Sequence, residues 1–139
     1  RKMAKDGEGA TKLLVCKVSG AANLADARTV AKSVICSSLL KAAMFGADAN
    51  WGRVLCAIGY AGTGTDIHRV DVSFRSKAGT IDVCKNGSGI PFSEEKAKEI
   101  LTQDEIDILV TLGDGDACAE AYGCDLTYDY VKINGDYRT

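Results

Sequence analysis

The apolar residues change their spacing partway along the chain, and any fold must satisfy both periods. Before residue 59 they recur at three and four positions. Ala27, Val30, Ala31, Val34, Ile35, Leu39 and Ala42 fall on one helical face, with Arg28, Lys32 and Lys41 mostly on the other. Trp51, Val54, Leu55 and Ile58 suggest a second, shorter helix. From residue 70 the spacing becomes two: Val70, Val72 and Phe74, then Ile106, Ile108, Val110 and Leu112. The glycines at 59, 62 and 64 lie between the two regimes and read as a joint. The pattern predicts an α+β protein in two parts, residues 1–62 and 63–139.

The first part opens with the apolar run Leu13, Leu14, Val15 and Val18, which reads as a mostly buried strand. One long helix is expected from Leu24 to Phe45, with Asn23 as N-cap and Gly46 just past its end. At 1.5 Å per residue it would be about 33 Å long. Neither this helix nor the Asp6–Val18 strand has an evident partner layer in the sequence, so further chains are expected to complete the fold. The second part reads as strand-strand-helix-strand-strand, a small α+β roll. Asn86-Gly87 is its hairpin turn, and Ser93 caps the helix. Its last strand is expected to alternate Leu126, Tyr128 and Tyr130.

Charge and composition exclude several classes. A net charge of −2 without a basic run argues against a nucleic-acid partner. No apolar stretch reaches membrane-spanning length, and no secretory signal opens the chain. The start, "RKMAKDGEG", lacks an initiating Met and reads as the interior of a longer gene product. The six cysteines form no Cys-x-x-Cys pair, and His68 is the only histidine. Zinc-site spacing is therefore absent. The cysteines, mostly set among Val, Ile, Leu and Ala, read as reduced core residues of a cytoplasmic protein. The three joint glycines lack the Lys-Ser/Thr of a phosphate loop. "GDGD" at 113–116 lacks the ligand ladder of a calcium loop and reads as a tight turn with solvated acids.

One feature stands outside this scaffold. Glu8 sits between Gly7 and Gly9 at the mouth of the first strand. The plain reading is a solvated loop charge. The sharper one is a ligand-contacting carboxylate held at the end of a rigid strand. The residues alone leave both open. They also leave open a non-catalytic amino-acid-binding or regulatory α+β module.

Several separate motifs narrow the choice. "DGEGATKL", "KAAMFGADANWGR", "IGYAG" and "GCDLTYDYVKINGDYRT" occur in this order and span Asp6 to Thr139. The chain thereby resembles the C-terminal part of the bifunctional ornithine acetyltransferase / glutamate N-acetyltransferase family of arginine biosynthesis. The resemblance implies that residues 1–62 end a layered α/β catalytic domain and 63–139 form the C-terminal roll. It implies a precursor that cleaves itself into α and β chains, with the new N-terminal threonine as nucleophile and no cofactor. That threonine lies outside this chain; Thr11 is internal and does not match it. The expected partners are the α chain, the remaining β segment in a hetero-oligomer, and the substrates N-acetylornithine and glutamate. By motif, Glu8, Asn134 and Thr139 match the family's substrate-binding residues. The plain alternatives are a turn residue for Asn134 and a frayed terminus for Thr139. The two substrates differ in side-chain charge, so water or a nearby cation such as Lys12 is expected to compensate Glu8.

Overall fold

The computed structural model describes residues 12–125. Among them, six strands form one sheet in the order β4-β3-β2-β5-β1-β6. The strands are β1 (Leu13–Ala21), β2 (Asp71–Ser76), β3 (Gly79–Lys85), β4 (Ser88–Gly89), β5 (Glu105–Thr111) and β6 (Ala117–Cys124). Four helices accompany them: α1 (Leu24–Ile35), α2 (Ser38–Phe45), α3 (Trp51–Tyr60) and α4 (Glu94–Leu101). The class is mixed α+β, as the change of period predicted. β1 runs parallel to β5, and every other pairing is antiparallel.

β1 explains the single sheet. Leu13, Leu14, Val15 and Cys16 are all fully buried, so both faces of the strand are covered. The strand lies between β5 and β6, which come from the other end of the sequence. Strand pairing therefore crosses the boundary drawn at residue 62. The helices share the sheet face that carries Leu14, Cys16, Val18, Phe74, Ile106 and Ile108, and one core joins them all. α1 lies over β1 and β6, and α4 lies over β2 and β3. Both the strand and the Ala-rich helix thus find their partner layer within this chain, contrary to the sequence expectation.

Two local expectations are corrected, and a third falls outside the described residues. The long helix is two. α1 ends at Ile35, and Ser37 starts α2 by accepting a hydrogen bond on its Oγ from the Leu40 amide at 3.2 Å. A Ser hydroxyl competes for backbone amides, which makes Cys36-Ser37 a break inside an otherwise helical pattern. Past α2, the left-handed residue is Ala47, at φ 53°, whereas Gly46 has φ −84°. The last described strand is Ala117–Cys124. The strand read at Leu126, Tyr128 and Tyr130 lies outside the described residues. β6 presents Ala117, Ala119 and Ala121 to the core, and small residues there let α1 approach. Alanine is a poor strand former, so the segment gave no strand signal.

Other expectations hold. Asn23 caps α1 through Oδ1, which accepts from the Asp26 amide at 2.8 Å. Ser93 caps α4 in the same way, from the Lys96 amide at 3.1 Å. "GDGD" is a turn folded onto the end of β1, with the Asp114 and Gly115 amides donating to the Gly20 carbonyl at 2.7 and 2.9 Å. Its acids are not all solvated, because Asp114 lies 3.8 Å from the Arg69 guanidinium.

Candidate functional site

Glu8, Asn134 and Thr139 lie outside the described residues. The described residues nearest to them in sequence are Lys12 and Asp125, and these two are joined. The Lys12 amide donates to Asp125 Oδ1 at 2.9 Å, and the Asp125 amide donates to the Lys12 carbonyl at 3.2 Å. They continue the antiparallel ladder beyond the Leu13–Cys124 pair. The chain therefore enters β1 and leaves β6 at adjacent points of one sheet end.

The Lys12 side chain crosses to the helices. Its Nζ donates to the carbonyls of Met44 at 2.7 Å and Leu101 at 2.8 Å, with Phe45 at 3.5 Å. Met44 and Phe45 end α2, and Leu101 ends α4. Helix C-termini present unpaired carbonyls and the negative end of the helix dipole, so a cation belongs there. Burial lowers the Lys12 pKa, and the Asp125 carboxylate beside it opposes that shift. Asp125 is itself 5% exposed, the one buried polar or charged residue among those described. An ammonium has three N–H donors. Here they are directed at the backbone carbonyls of the two helix ends, while Glu8, which Lys12 was expected to compensate, lies outside the described residues.

A cleft of about 420 Å³ opens at the same end, on the sheet face away from the helices. Arg75, Lys77, Gln103, Asp104, Glu105 and Asp107 line it. It abuts β1, because the Leu13 amide donates to the Asp104 carbonyl at 2.8 Å and Leu13 pairs with Glu105. Arg75 grips one oxygen of Asp107 through Nε at 2.9 Å and Nη2 at 2.7 Å. Lys17 extends the network, 3.8 Å from both Asp107 and Glu120, and the Tyr122 hydroxyl donates to Glu120 at 2.7 Å. Such mixed charge suits a ligand carrying both an ammonium and a carboxylate. Sequence reasoning named none of the cleft residues. Their signal is opposite charges on facing strands, Arg75 opposite Asp107, and it appears only once the register is known.

The remaining candidate groups separate from this end. His68 is largely exposed and hydrogen-bonded to Asp66 at 3.2 Å. The bonds from the His68 amide and ring hold the Asp66 carboxyl below its usual range. Only Cys16 and Cys84 are buried, and burial pushes the Cys16 thiol up to about 12. Cys36, Cys56 and Cys118 are exposed, which corrects their reading as core residues. Among the described residues no helix is long and apolar enough to cross a membrane.

A parallel pair of interior strands, helices on one face and a charged cleft at the sheet end define a mixed α+β unit. The chain belongs to the ArgJ family, whose model matches residues 1–139. It is 55% identical over 99% of its length to arginine biosynthesis bifunctional protein ArgJ 1 of Clostridium acetobutylicum, covering 34% of that protein. It is 49% identical over 99% of its length to a glutamate N-acetyltransferase of Methanopyrus kandleri, covering 35% of it. The crystal structure of arginine biosynthesis bifunctional protein ArgJ from Bacillus halodurans superposes with a TM-score of 0.88 at 46% identity, over 98% of this chain and 62% of that one. The chain thus spans about a third of the length of the curated relatives it matches.

Proposed function

We propose that this chain is part of an acyltransferase of arginine biosynthesis that moves an acetyl group from N-acetylornithine to glutamate. The observation that carries the reading is the family match over the whole chain, together with the bifunctional ArgJ and glutamate N-acetyltransferase names of its relatives. The nucleophile in this reading is an N-terminal threonine outside the chain. Its hydroxyl attacks the acetyl carbonyl, and the C–N bond breaks. Ornithine leaves with the proton, and the acetyl group stays as a threonine ester. The amine of glutamate then attacks the ester, forming N-acetylglutamate and restoring the hydroxyl.

A precursor cut into two chains has independent support. This chain covers 62% of the solved relative's chain but only 34% of a curated relative, so the solved chain is little more than half a curated relative's length. The binding roles of Glu8, Asn134 and Thr139 rest on motif. In support, the described residues that adjoin those two segments in sequence, Lys12 and Asp125, are paired with each other.

The test is acetyl transfer by the full-length protein, followed by the appearance of N-acetylglutamate from N-acetylornithine and glutamate. Glu8→Gln in that protein is expected to lower kcat/KM roughly ten- to a hundred-fold, the loss of a charge-assisted contact of about 1.5–3 kcal/mol. Binding of ornithine derivatives without any turnover by the intact protein would instead establish a non-catalytic amino-acid-binding module.

A further inference from the structure

We propose that Cys36 and Cys56 form a thiol pair that a hydroperoxide oxidises to an intramolecular disulfide. Both are exposed free thiols. Both line one cavity of about 330 Å³ among the helices. It lies between α3 and the junction of α1 with α2, on the other side of the sheet from the charged cleft. The pair does not depend on the acetyl-transfer reading.

Two hydrogen bonds bracket the thiols. The Ser33 hydroxyl donates to the Ala57 carbonyl at 2.6 Å, and Arg53 Nη1 donates to the Leu39 carbonyl at 2.7 Å. The bonds join 33 to 57 and 39 to 53, so α3 runs antiparallel to the chain that leaves α1 and enters α2. Cys36 lies midway between Ser33 and Leu39, and Cys56 lies between Arg53 and Ala57. Each cysteine follows a bridging residue, Ser33 or Arg53, by three positions, and residues at that spacing are neighbours on a helix surface. The thiols therefore stand on facing walls of one cavity, between two fixed points. The Ser33 bond also shows how near α1 and α3 come, since a side chain that ends one atom beyond Cβ reaches the main chain of α3. A cysteine sulfur stands at the same place in its side chain.

One thiolate attacks an oxygen of the hydroperoxide, and the O–O bond breaks. Its sulfur keeps that oxygen as a sulfenic acid; the other oxygen leaves with the thiol's proton, as an alcohol, or as water when the oxidant is hydrogen peroxide. The second thiolate attacks the oxidised sulfur. The S–S bond forms, the S–O bond breaks, and hydroxide leaves with the second thiol's proton as water. The two sulfurs have given two electrons to the peroxide. The bond ties the C-cap of α1 to α3, and a reducing thiol reverses it by exchange.

The test uses the full-length protein, with hydrogen peroxide as the probe. After oxidation the remaining thiols are blocked with iodoacetamide, and tryptic peptides are read by mass spectrometry without reduction. Peptides 33–41 and 54–69 are expected to appear linked and to separate on reduction. Their link should exceed any through Cys118, the exposed thiol of β6, at least about ten-fold, because oxidation is site-selective. Cys36→Ser or Cys56→Ser is expected to abolish the link and to leave the remaining thiol as a sulfenic acid that dimedone labels. Full iodoacetamide labelling of Cys36 and Cys56 after peroxide overturns the proposal. So does oxidation of both to sulfinic acid without a link, which shows that the thiols do not meet. A link found only between two molecules, as a doubled mass on a non-reducing gel, overturns it as well.

Discussion

Gly87 has no room for a side chain. It follows Asn86 in the turn from β3 to β4, and both take positive φ, 50° and 76°. That is the Asn-Gly hairpin signature, and it was legible in the sequence. The sequence did not show that a Cβ on Gly87 would collide with the Ile67 carbonyl oxygen. Gly87→Ala is therefore expected to destabilise the protein by more than about 2 kcal/mol, since backbone strain and a backbone clash add. Thermal unfolding of the intact protein measures it. Lys12 gives a second prediction at this scale. Its folded pKa lies below the ordinary lysine range, so between the folded and unfolded values the unfolded chain binds more protons. Stability contributed by this group accordingly rises as pH climbs through that window, and below it burial of the charge opposes folding. A carbon-13 NMR titration of lysine side chains should show Lys12 losing its proton before the exposed lysines.

The elements divide into those announced by period and those set by packing. β1, β2, β5, α3 and α4 follow apolar spacing and were legible. The break at Cys36-Ser37 was not, because the spacing read in the sequence runs through it onto Leu39 and Ala42, whereas the structure exposes those two and buries Leu40, Ala43 and Met44. β6 was missed for the opposite reason: its core-facing residues are small. A Cβ on Gly123 would come within 2.7 Å of Ile35 Cγ2, where α1 crosses the strand. Gly123→Val is expected to cost roughly 1–3 kcal/mol by overpacking. The denaturant midpoint should fall at unchanged m-value. The site was legible in a different sense. Glu8, Asn134 and Thr139 came from resemblance alone, since their local sequences fit a loop charge, a turn and a terminus equally well. The charged cleft depends on cross-strand register, which a single sequence does not encode.

At the scale of the whole molecule, the entrance to β1 and the exit from β6 are paired through Lys12 and Asp125. Deleting Thr139 from the full-length protein is expected to lower acetyl transfer at least about ten-fold, ~1.4 kcal/mol of transition-state stabilisation, with little change in melting temperature. Equal activity after the deletion would remove Thr139 from the site. The same arrangement governs how the chain is made. β1 has its parallel neighbour 92 residues later, as the Ser19–Thr111 contact shows, and β6 follows later still. Translation proceeds at about 5–20 residues per second, so the strand waits on the order of ten seconds for its first neighbour. Throughout that interval "LLVCKV" has an open edge on each side. It is the stretch that a chaperone would be expected to hold on the nascent chain.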